Sequence, residues 1–138
     1  MTRLGIVGSN YGRMVQLPAF RADPRCTVVA LAGSNEARTR ELAQVAQVPK
    51  AYGDWRALID DEEVDAVAIA TPPGLQTEIA LAALANGKPV FAEKPLARTL
   101  GDARSLLQAA EQSKRPTMVD FNFTQVMGWL RAKEMSGI

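Results

Sequence analysis

The chain contains no histidine and a single cysteine, Cys26. Those two shortages remove His-ligated metal sites, Ser-His and Cys-His nucleophilic pairs, and any disulfide framework. Cys26 is left to act as a small buried hydrophobe. An excess of charge is lacking as well: 16 Lys+Arg stand against 15 Asp+Glu, a formal net charge of +1. That balance gives no basic field for nucleic acid and no polybasic block for a membrane surface. No apolar run approaches the roughly 20 residues of a membrane span, and the N-terminus has no basic-then-apolar leader pattern. A soluble, cytoplasmic protein with small-molecule partners is expected, binding neither nucleic acid nor membrane. The one acidic cluster, Asp60-Asp61-Glu62-Glu63, points its carboxylates in different directions, so a solvated loop is expected there rather than a metal site.

What is present is a chain of 138 residues, 47% hydrophobic, enough for one domain with a real core. Its organising stretch runs from Arg3 to Gly12, an apolar strand that passes into a glycine turn and then a helical pattern. A strand, a tight turn and a helix N-terminus in that order suit a pyrophosphate, because the backbone must turn sharply and aim free N–H groups at negative charge. Gly8, Ser9, Asn10, Tyr11 and Gly12 are the candidate phosphate-binding residues. The full fingerprint would read G-x-G-x-x-G; here Asn10 replaces the middle glycine and Gly12 arrives one position early. Asn tolerates positive φ, so the turn survives.

Strand and helix alternate along the rest of the chain. Strands are expected at Leu4–Val7, Thr27–Ala32, Val48–Tyr52, Val64–Ala70, Pro89–Ala92 and Thr117–Val119, with helical spacing between them. Pro18 should kink or interrupt the first helix, Asp54 should cap the third, and Thr99 or Asp102 should cap the one before the last strand. The fold class is therefore α/β, a doubly wound parallel sheet of about six strands with helices on both faces.

Two places on the carboxyl edge of that sheet carry chemistry. In a dinucleotide site an acid about 20 residues past the glycine turn grips the adenosine ribose, and here that register falls on Gly33 and Ser34. An acid would repel a 2′-phosphate, whereas Ser34 and Asn35 can donate to one and Arg38 or Arg40 can reach it, so NADP is favoured over NAD. A solvated helix face is the alternative for Arg38 and Arg40. At the second place the fourth strand stops at Thr71-Pro72-Pro73-Gly74, and the fifth delivers Glu93-Lys94-Pro95 to the same edge.

Three stretches together resemble the N-terminal domain of the glucose-fructose oxidoreductase / inositol dehydrogenase / MocA-like dehydrogenases. They are Gly5-Ile6-Val7-Gly8 through Leu17-Pro18-Ala19-Phe20, Val64 through Pro73, and Ala83 through Leu96, with Glu93-Lys94-Pro95 the most specific. The resemblance implies a Rossmann fold, an NAD(P) cofactor held also by Thr71, Pro72 and Glu93, and a sugar- or polyol-like substrate. It also implies that Lys94 lies between substrate and nicotinamide as the catalytic residue. Lysine has the reach to orient a hydroxyl, stabilise developing charge or relay its proton. The plainer alternative is that Lys94 caps a strand end or pairs with Glu93. Asn122, just past the sixth strand, is a second candidate for substrate contact. Asn10 departs from the family pattern, as does Gln76, placed in the loop after the fourth strand where many members carry histidine.

Family members run on for about another domain's length, which supplies most of the substrate pocket. Residues 1–120 then form the nucleotide-binding domain, and residues 121–138, rich in large apolar groups such as Phe123, Met127, Trp129 and Leu130, begin a truncated second domain. That tail predicts a homo-oligomer. The competing function is a non-catalytic dinucleotide-binding or sensing module; a flavodoxin-like receiver lacks support, since no acidic cluster follows the first strands.

Overall fold

The computed structural model describes residues 1–122 and 126–136, the side chains of residues 128 and 129 excepted, so Phe123 and the Trp129 side chain lie outside the described residues. The strands are β1 (Thr2–Val7), β2 (Cys26–Ala32), β3 (Lys50–Tyr52), β4 (Ala66–Ile69), β5 (Val90–Glu93) and β6 (Thr117–Asp120). They form one parallel sheet in the order β3-β2-β1-β4-β5-β6. The connecting helices are α1 (Leu17–Arg21), α2 (Glu36–Val45), α3 (Trp55–Asp60), α4 (Pro73–Ala85) and α5 (Leu100–Ser113), followed by α6 (Met127–Ser136).

The strands read as continuous apolar runs because both faces of the sheet are covered. Successive β1 residues bury on opposite faces: Leu4 and Ile6 join Leu17, Ala43 and Val48, while Val7 joins Leu58, Ile79, Ala83 and Leu106. Ile6, Val67 and Ile69 are wholly buried, each burial contributing about 1.5–3 kcal/mol.

Helix starts follow local chemistry. Asn35 Oδ1 accepts from the Arg38 amide at 2.9 Å, Asp54 Oδ1 from Arg56 at 3.0 Å, and Thr99 Oγ1 from Asp102 at 3.1 Å, so Thr99 is the cap and Asp102 sits in the first turn of α5. The helix after β4 begins three residues before its first clear apolar period, since Pro73 occupies an opening position where an N–H would lack a partner. Gln76 is thereby inside α4 rather than in a loop. Before Pro18 the chain makes a wide π-type turn, Gly12–Gln16, and Pro18 falls harmlessly near the start of α1.

One network of ion pairs and hydrogen bonds sits at the amino edge of the sheet. Arg3 forks onto Asp65 at 2.7 and 3.1 Å, and Asp61 accepts from Lys50 at 2.7 Å and Tyr52 at 2.8 Å. Lys88 Nζ donates to the Asp61 and Val64 carbonyls at 2.6 and 2.7 Å. Asp60, Glu62 and Glu63 are exposed, as a solvated loop requires, and Asp61 alone departs from that expectation: burial pushes its carboxyl up, but hydrogen bonds from Lys50, the Glu63 amide and Tyr52 outweigh it and hold it at about 2. Cys26 is half-buried rather than buried, and its thiol donates to the Phe20 carbonyl at 2.8 Å. Among the described residues no helix is long and apolar enough to cross a membrane.

Candidate cofactor and catalytic site

The strand order reverses between β1 and β4, and ligands of open α/β sheets bind at the carboxyl ends of the strands at such a switch point. A cleft of about 490 Å³ lies there, lined by Gly8, Ser9, Asn10, Ser34, Thr71 and Pro72 among others, within the size range of small-molecule sites. Gly8 has φ +129°, and a Cβ on it would come 2.3 Å from the Ala70 carbonyl oxygen, so only glycine leaves this floor open. A Cβ on Gly12 would meet Ile6 Cγ2 at 2.6 Å. Gly12 therefore supplies the close helix-to-strand approach asked of the third fingerprint glycine. It does so one position early, and the wide turn that follows takes up the extra residue, leaving Gln16 and Leu17 buried against the sheet.

The donor set suits a dinucleotide. Thr71 Oγ1 is buried without a hydrogen-bond partner and belongs to a cleft-lining residue, an orphan hydroxyl of the kind a ligand satisfies. At the end of β2, Ser34 and Asn35 are exposed; no acid holds the Gly33–Ser34 register, while Glu36 follows in the first turn of α2 and Asp54 lines the cleft. A Cβ on Gly33 would meet Thr39 Oγ1 at 2.5 Å and Ser9 Oγ at 2.9 Å, so any longer side chain would need these neighbours to move. Asn35 is committed through Oδ1 to capping α2, which leaves its amide N–H₂ for a ligand. Arg40 pairs with Glu36 at 2.7 Å; Arg38 is exposed, makes no ion pair among the described residues and does not line the cleft. Gly53, Asp54, Trp55 and Leu75 also line it, and sequence reasoning missed them. The signal available was position, since Gly53 follows β3, the neighbour of β2. Arg56 lies 4.2 Å over the Trp55 ring.

A second group of residues stands at the end of β5, two strands from β1. Glu93 is buried, accepts from Gln16 Nε2 at 2.9 Å, and is paired in register with Asp120 of β6. Burial first, and then Asp120, push its carboxyl up, against the lowering effect of Gln16 and Lys94. Tyr11, 42% exposed and outside the cleft lining, has its phenol pushed up by burial and by Glu93 and Asp120. Lys94 is exposed, makes no ion pair among the described residues, and precedes a cis bond to Pro95. The pairing with Glu93 is thus not formed as a salt bridge. Asn122 is exposed just past β6.

A doubly wound sheet with a glycine cradle and an unpartnered hydroxyl at its switch point defines the class of dinucleotide-binding domains. More narrowly, the chain belongs to the oxidoreductase family with an NAD-binding Rossmann fold, whose model matches residues 2–121. It is similar to levoglucosan dehydrogenase of Pseudarthrobacter phenanthrenivorans, 36% identical over 104 residues, 75% of this chain and 27% of that one. A structure of a levoglucosan dehydrogenase with NADH and L-sorbose superposes with TM-score 0.84 at 30% identity, over 89% of this chain and 35% of the other. Biliverdin reductase from Synechocystis sp. PCC 6803, solved with biliverdin and NADP+, gives TM-score 0.78 at 39% identity, over 86% and 37%. The chain spans about a third of the length of the curated relatives it matches.

Proposed function

We propose that the chain is the cofactor-binding domain of an NADP-preferring oxidoreductase that moves a hydride to or from a sugar- or polyol-like hydroxyl or carbonyl. The observation that carries the reading is the glycine cradle at the switch point with Thr71 Oγ1 buried and unpartnered beside it. Gly8, Ser9, Asn10, Gly12 and Thr71 would hold the cofactor, Ser34, Asn35 and Arg38 its adenosine end, and Glu93 its far end. Bound there, the nicotinamide supplies the hydride chemistry. Lys94 holds the reacting oxygen and the proton that leaves it, with Asn122 as the neighbouring polar contact. The relatives named above include a sugar dehydrogenase, which supports the substrate class.

Preference for NADP rests on the missing acid after β2, and calorimetric titration of the chain with NADPH and NADH tests it. Tighter binding of NADPH is expected, with Ser34→Asp weakening NADPH and not NADH. Tighter NADH binding, or no response to Ser34→Asp, overturns the preference.

Turnover rests on Lys94. The 138-residue chain by itself is expected to bind cofactor without measurable catalysis, because it spans about a third of the length of its curated relatives and the family resemblance assigns most of the substrate pocket to a further domain. In an active enzyme containing this domain, Lys94→Ala should lower kcat by roughly 100-fold or more with cofactor affinity little changed. An inert substitution returns Lys94 to a structural role at the strand end; the competing reading of the chain is a non-catalytic dinucleotide-binding module.

A further inference from the structure

Gln76 lies in the second turn of α4 with 1% of its surface exposed, and its carboxamide reaches the segment that carries Lys94. Oε1 accepts from the Glu93 amide at 3.0 Å. Nε2 donates to the carbonyl oxygens of Glu93 at 2.8 Å, Pro95 at 3.0 Å and Leu96 at 3.0 Å. The segment is held immediately before Lys94 and immediately after it. With two N–H hydrogens facing three carbonyls, at least one hydrogen is shared. No other arrangement of the amide satisfies both the N–H and the carbonyls, so its orientation follows from the network.

We propose that Gln76 is a positioning residue: a clamp from α4 that fixes the main chain on either side of Lys94 and thereby the origin from which the ammonium reaches the nicotinamide and substrate. This rests on the reading of Lys94 given above. An exposed lysine with several rotatable bonds aims well only if its Cα is fixed, and a displacement of about 1 Å at a reacting group costs on the order of 100-fold in rate. The chemistry at position 76 is restrictive. An apolar side chain leaves an N–H and three carbonyls without their partner, and a carboxylate sets its lone pairs against the carbonyls. Neutral histidine offers one donor and one acceptor, and so preserves the clamp in reduced form.

The test follows Lys94 directly in the cofactor-loaded chain. Lysines are dimethylated with [13C]formaldehyde, the Lys94 resonance is assigned by its loss in Lys94→Arg, and NADP+ is titrated while binding is measured by calorimetry. In the parent chain the Lys94 signal should shift as the cationic nicotinamide arrives. In Gln76→Met the shift should be lost with the NADP+ Kd held within about twofold, and the Glu93 amide should exchange at least about tenfold faster. Gln76→His should retain the shift. If Gln76→Met does not fold, Gln76→Asn, which keeps both functions one methylene short, gives the same readout. A parent Lys94 signal that ignores bound NADP+ overturns the reading of Lys94 itself. A signal that still shifts in folded Gln76→Met or Gln76→Asn overturns the clamp alone, as does its loss in folded Gln76→His.

Discussion

Glu93 is a buried acid beside a second acid, and its carboxyl is pushed up by burial and then by Asp120. A folded-state pKa above the unfolded value means that the group's contribution is fully present below about pH 4 and is lost as pH rises through the folded value. At neutral pH the fold is therefore weaker than at low pH by the cost of burying this acid. Glu93→Gln keeps an acceptor for Gln16 and removes the charge, so it should raise the melting temperature by a few degrees at pH 7, converging with the parent near pH 4. Circular-dichroism melts at both pH values check this, and a lower melting temperature at pH 7 would contradict it. Individual residues were legible in the sequence where their type is chemically restrictive. Lys94 and the cradle glycines could be singled out, but Gln76 and Trp55 could not be assigned their places. A buried amide and a surface amide read alike until the facing main chain is known, and Trp55 enters the cleft only because β3 lies beside β2.

At the scale of elements, α2 carries two demands on one side chain. Asn35 caps the helix and stands at the exposed end of β2, where the adenosine end of the cofactor is proposed to lie. Asn35→Ala should cost about 1 kcal/mol of stability. Asn35→Asp should preserve stability, because an acid also caps and suits the helix N-terminus, while lowering NADPH affinity. Denaturant unfolding and calorimetry on the two variants separate the roles; an Asp variant that loses stability removes the cap argument. The strands were legible from their apolar runs, and the caps at Asp54 and Thr99 from residue type. The wide turn at Gly12–Gln16 was not, since a one-residue displacement of a glycine does not reveal whether loop or helix absorbs it.

For the whole molecule, the tail poses the question of association. Val126, Met127, Leu130 and Met135 are exposed, an apolar face that soluble monomers seldom present. Sedimentation velocity should find dimers or larger species, and Met127→Glu with Leu130→Glu should return the chain to monomers; a monomeric parent would contradict the proposal. The doubly wound architecture was legible as a whole because alternating strand and helix patterns admit few topologies.

The sheet also divides its polar groups between its two ends. Arg3–Asp65 and the Asp61 network with Lys50, Tyr52 and Lys88 all sit at the amino edge, while the cradle, Thr71 and Lys94 stand at the carboxyl edge. None of the amino-edge residues lines the cleft. A lineage built on this plan can exchange one substrate for another through changes at the carboxyl edge alone, with the anchoring pairs left untouched.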